Sequence, residues 1–250
     1  MTHLRRIRYL CLAFFLGVLP LVIVSAAGRA SDWRTASHEP VGLAPDPSAT
    51  PEPVVQVYAA RAFGWRGTFG VHTWIAVKPA NAMAYTVYEV TGWRLRGSGS
   101  AVAISQRAPD ARWYGNAPDL ISDKRGEGVQ ELIARVDRAA HEYPYAGEYT
   151  IWPGPNSNTF VAWIARAVPE LLVNLPSTAI GKDYLGDRLV ASAPSGSGFQ
   201  LSLGGLLGFT ASGVEGIELN ILGLTFGIDP FDPAIKLPLL GRLGASKSGQ

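Results

Sequence analysis

Three side chains have the types that a nucleophile, its base and the base's partner require: Ser157, His72 and Glu89. Cys11 is the only cysteine and sits in an apolar N-terminal run, so a nucleophile beyond that run must be an oxygen or a lysine amine. Ser157 belongs to residues 149–166, YTIWPGPNSNTFVAWIAR, which read as a short strand, a turn stiffened by Pro153 and Pro155, and an apolar helix. A hydroxyl at the mouth of that helix has unpaired backbone N–H groups beside it, which favour developing negative charge. The chemistry this suits is acyl transfer or amide hydrolysis. His72 would take the proton and Glu89 would hold His72 in one tautomer. The Ser157 amide, with Asn156 or Asn158, would receive the oxyanion.

Each residue also has a purely structural reading. Serine and asparagine are favoured helix N-caps, so capping alone accounts for NSN before FVAWIAR. A histidine within a strand often serves packing, Glu89 suits a solvated face, and His141 ends a helix where a cation complements the dipole. His3, His38, His72 and His141 show no metal-ligand spacing, and neither a metal nor a cofactor is expected. Gly181-Lys182 is not a phosphate loop, because Pro176 and Asp183 stand where that loop needs glycine and a hydroxyl.

These residues need elements to position them. Residues 54–61, VVQVYAAR, open the globular part as a β-branched strand, and residues 69–78 and 83–93 read as a hairpin around the loop 79–82. With that loop Lys78 faces Met83 and His72 faces Glu89, their Cβ atoms ~5 Å apart on one face of the sheet. A slip of one residue would send Glu89 to the other face. Residues 97–126 read as a long surface loop with a short strand at 102–104. Residues 127–141 place Val129, Leu132, Ile133, Val136 and Ala140 at helical spacing, an amphipathic helix over the sheet, and residues 148–152 return as a strand. After Pro169 the chain is irregular over residues 171–185. Residues 195–244 alternate as strands, with a phase change near Ile221 and Leu222 that suggests a bulge. Whether they complete the main sheet or form their own stays open.

With 47% apolar and 17% charged residues the chain can bury a core, and a net charge of +2 shows no basic excess, which argues against nucleic acid as a partner. Arg5, Arg6 and Arg8 precede an uncharged run over residues 9–28, so residues 1–28 read as a signal peptide or a membrane anchor. Basic residues before the run place the globular part on the periplasmic side of an inner membrane, or free in the periplasm if the leader is removed. Residues 29–53 hold Pro40, Pro45, Pro47, Pro51 and Pro53 and read as a tether. Residues 54–250 form the α+β domain, with a glycine-rich β extension over 196–250.

The order of a strand histidine, a strand and a helix opened by NSNTFV resembles circularly permuted papain-like proteins, including relatives of lecithin:retinol acyltransferase. Ser157 falls on their cysteine, and the resemblance rests on His72, Asn156, Ser157 and Phe160. It implies a papain-like core and a hydrolase or acyltransferase acting on a cell-wall peptide or a lipid-linked group. GTFGVHTWIAVKP, WPGPNSNTFVAWIARAVPEL and LPSTAIGKDYLG also resemble an uncharacterised bacterial family of membrane-associated proteins with a domain of unknown function. Serine in place of cysteine is the main departure, since an alcohol at a helix mouth stays protonated and needs a true base. The alternative is a catalytically silent envelope protein that binds a peptide or glycan through aromatics near Trp65, Trp74, Trp93, Trp113 and Tyr114.

Overall fold

The computed structural model describes residues 32–244; the run over residues 9–28 lies outside them. Among the described residues no helix is long and apolar enough to cross a membrane. The fold is mixed α and β, with two antiparallel sheets and few helices.

The first sheet has the order β4-β3-β2-β1-β5, from β1 (Val54–Arg61), β2 (Val71–Lys78), β3 (Thr86–Val90), β4 (Val102–Gln106) and β5 (Asp119–Arg125). β1 and β2 are central and covered on both sides, which is why their sequences are almost continuously apolar. One face carries Val55, Val57, Ile75, Val77 and Val90. It packs against α2 (Val129–His141) and α3 (Ser157–Ala167), which bring Val136, Phe160 and Ile164, all fully buried. Each such side chain contributes roughly 1.5–3 kcal/mol by leaving water. The other face carries Tyr58, Trp74, Ala76 and Val87. A one-turn helix, α1 (Leu95–Ser98), lies between β3 and β4.

The second face is covered by the segment read as a tether. Pro40 bridges to Ala111, the Gly115 N–H donates to Ser37 O at 2.8 Å, and the Leu43 N–H donates to Asp110 Oδ2 at 2.6 Å. The Tyr85 hydroxyl donates to Pro45 O at 3.1 Å. Over residues 37–45 the segment is therefore an extended cover held by hydrogen bonds, its prolines fixing the backbone, where a weakly ordered spacer was expected.

Three further expectations are corrected. The hairpin loop runs to Tyr85 before β3 begins, and Ile75 faces Tyr88 where a four-residue loop would set it against Thr86. Residues 148–152 form no strand, 148–150 being irregular and 151–152 bends, because the prolines that follow leave no ladder to join. Asp119–Arg125, read as part of a loop, is an edge strand whose exposed polar side chains hide its alternation.

The second sheet is a seven-stranded meander of its own: β6 (Val190–Ser192), β7 (Gly198–Leu203), β8 (Leu207–Ser212), β9 (Gly216–Ile221), β10 (Leu224–Asp229), β11 (Ala234–Leu237) and β12 (Gly241–Gly244). The phase change at Ile221 is a two-residue turn, not a bulge. Leu222 and Gly223 have φ of 53° and 78°, the left-handed pair that a tight hairpin demands.

Candidate functional site

The site sits where the first sheet opens. β2 and β3 pair only from Ile75 to Val77, so their ends near His72 and Glu89 part. The mouth of α3 is pinned against that free edge. Thr73 Oγ1 donates to Ser157 O at 3.2 Å and to Asn158 Oδ1 at 3.0 Å, and Asn158 Nδ2 donates to Val71 O at 3.1 Å. The residues on either side of His72 thus hold the first turn of the helix.

The slip in the hairpin is of two residues, and an even slip keeps each side chain on its face. His72 and Glu89 therefore meet diagonally, with Nε2 2.9 Å from Oε2. The carboxylate accepts, so the proton sits on Nε2 and the lone pair on Nδ1, which has no hydrogen-bond partner among the described residues. Trp113 stacks on the imidazole at a centroid distance of 3.7 Å. Burial holds the His72 pKa below the usual imidazole range, against the opposing pull of Glu89, so the ring is neutral near pH 7. Burial would raise the Glu89 pKa, but the hydrogen bond from His72 and the charge of Arg107 outweigh it and hold the carboxyl ionised. Arg107 lies 3.4 Å from Glu89 Oε1 and over the Trp74 ring. Neither Arg107 nor the stacking role of Trp113 was evident from the chain, because both enter from the loop after β4.

Asn156 is the N-cap of α3. Its Oδ1 accepts from the Asn158 and Thr159 amides, and Thr159 Oγ1 accepts from the Asn156 N–H, a complete capping box. Both Nδ2 protons of Asn156 are spent on Ile151 O and Ile180 O, and both of Asn158 on Val71 O and Ile180 O. As oxyanion donors these two side chains are therefore not free; they fix the helix mouth. Gly181 makes that fit possible: its φ is 100°, and a Cβ there would lie 2.4 Å from Asn156 Nδ2. Ser157 is different. Its hydroxyl and its backbone N–H have no hydrogen bond among the described residues, and the residue, though 4% exposed, lines a cleft.

That cleft, about 1180 Å³, is bordered by His72, Asn156, Ser157 and Asn158, by Arg66 and Arg96, and otherwise mostly by aromatic and aliphatic groups. Trp65, Trp93, Trp113 and Tyr114 line it, whereas Trp74 is fully buried core. Trp33 and Trp152 also line it and, like Trp65 and Trp93, are about half exposed. No hydrogen bond joins Ser157 to His72. Alternation along β2 aims Thr73 at α3 and His72 toward Trp74 and Trp113, so the serine and the imidazole approach the cleft from opposite faces of the sheet.

No curated protein and no solved structure matches the chain. A match to one family spans residues 52–184, just over half of the chain; it includes His72, Glu89, Arg107, Trp113, Asn156, Ser157 and Asn158 and stops short of β6. The chain belongs to that family, described as "Protein of unknown function (DUF3750)".

Proposed function

We propose that the cleft is the active site of a papain-like hydrolase or acyltransferase that uses serine, with Ser157 as nucleophile, His72 as base and Glu89 as the residue that orients His72. One observation carries this reading: a neutral imidazole, its Nε2–H fixed on Glu89 and its Nδ1 unpartnered, borders the same cleft as an unpartnered hydroxyl at a helix N-terminus. Ser157 Oγ bonds the acyl carbon as its proton passes to Nδ1, and the carbonyl oxygen becomes an oxyanion facing the Ser157 N–H. The proton then goes to the leaving amine or alkoxide. Water, or an acceptor, releases the acyl group. The apolar walls suit an acyl chain or a peptide with apolar side chains, and the envelope is the compartment the leader points to. A fluorophosphonate probe should label the full chain, with labelling lost in Ser157→Ala and reduced at least tenfold in His72→Ala. Labelling that survives in Ser157→Ala, or none in the wild type, rejects the assignment.

A second reading has its own observation. Ser157 and His72 share no hydrogen bond and stem from opposite faces of the sheet, and the cleft carries exposed tryptophans. A binding cleft for a peptide or glycan uses those rings without a nucleophile. Titration of tryptophan fluorescence with muropeptides separates the two: saturation without labelling belongs to the binding module.

A further inference from the structure

The second sheet is turned inside out. Its inward positions are polar: Gln200, Ser202, Thr210, Glu218, Asn220 and Lys236 are all buried. Its outward positions are apolar and exposed. The register aligns them in rows across the strands, one running Leu201–Phe209–Leu219–Phe226 and its neighbour joining Ile217 to Ile228. On β7–β11 no outward side chain carries a charge or a hydrogen-bonding group. The exposed face is on the order of 1,000 Å², above the roughly 300–600 Å² of the largest apolar patch on a typical monomer.

We propose that this face docks on a lipid bilayer, with its leucine, isoleucine and phenylalanine side chains among the acyl chains just below the headgroups. A protein partner of that area would meet about one hydrogen bond per 100–200 Å², and this face offers no side-chain group to make one. The position of the chain's exit agrees. The packed body begins at Ser37, nine residues after the charge-free run closes at Gly28, a span of at most ~30 Å. Trp33 and Leu222, the latter in the turn between β9 and β10, both line the cleft, and Trp152 Nε1 donates to Leu222 O at 2.9 Å. The first described residues thus lie at the cleft to which Leu222 and Leu224 of the second sheet contribute, and Trp33 and Trp152 are the residue type that settles at the lipid–water boundary. The inference does not depend on catalysis in the cleft.

The test uses the full chain reconstituted in vesicles of phosphatidylethanolamine and phosphatidylglycerol that contain nitroxide-labelled acyl chains. Leu219→Cys and Ile228→Cys, each in a Cys11→Ser background, carry a fluorophore, and Met83→Cys, an exposed position in the hairpin loop, serves as reference. The labels at 219 and 228 should be quenched at least threefold more than the label at 83. Equal quenching at all three overturns the proposal. So does a disulfide between two Leu219→Cys copies that protects the face, which assigns it to a dimer. In unlabelled Leu219→Cys that keeps Cys11, a disulfide between the two within one copy assigns the face to the chain's own leader and equally overturns the proposal.

Discussion

The two sheets obey opposite rules of burial. The first hides apolar side chains on both faces and admits His72 and Glu89 only as a hydrogen-bonded pair at its open end. The second presses a charged face inward. Lys182 pairs with Glu218, Lys236 lies 2.8 Å from the other Glu218 oxygen and 2.9 Å from Asn174 Oδ1, and Arg166 and Asp183 share Gln200. Burial opposes the charge on Lys182, yet Asp183 and Glu218 outweigh it and raise its pKa. The same cations hold Glu218 ionised although burial favours its neutral form. An apolar interface would hold the sheet to the body in many orientations, whereas a charged one, here to Arg166, Asn174, Lys182 and Asp183, is stable only where every group finds its partner. The difference teaches that the second sheet is oriented by ion pairs, which leaves its apolar side free for another medium.

The contrast can be broken most directly at Glu218. Glu218→Gln leaves Lys182 and Lys236 without their shared counter-charge and should cost about 3–5 kcal/mol in urea unfolding. A cost near zero would mean that water reaches the inner face and that the inversion is superficial. Asn156→Ala acts on the first sheet's side: it removes the cap of α3 and two carbonyl contacts, with an expected loss of about 2 kcal/mol. If it cost more than Glu218→Gln, the order of the two regions would be reversed. The smallest effect is on pH dependence. The folded-state pKa of His72 lies below its unfolded value, so its contribution is complete above about pH 6.5 and is lost as the pH falls toward the folded value. Unfolding at pH 7 and pH 5 should show a smaller drop in His72→Gln than in the wild type; equal drops would place the imidazole in water.

Parts of both regions were legible in the chain. The His72–Glu89 pair was reached from a wrong loop length, because face depends on parity and the error was two residues. The capping reading of NSN held for Asn156, since side-chain chemistry at a helix start is local. Local signals said nothing of Asn158, whose amide is consumed by Val71 and Ile180, or of Arg107, which reaches Glu89 from eighteen residues away. β5 was missed because an edge strand needs little apolar patterning. In residues 195–244 the alternation was visible, but not which of its two sets meets the body.

By itself, then, the sequence determined where the central strands of the first sheet and the two long helices form, which of their residues share a face, and that a serine opens an apolar helix, because each follows from contacts within a few residues or from a period of two or 3.6. Only the tertiary structure decided that the proline-rich segment lies over the first sheet, that Ser157 and His72 border one cleft, and that the second sheet turns its polar face inward. Alternation marks two faces and carries no information about which one meets the body. That choice is made by partners such as Lys182 and Glu218, thirty-six residues apart, whose charges can be buried only together.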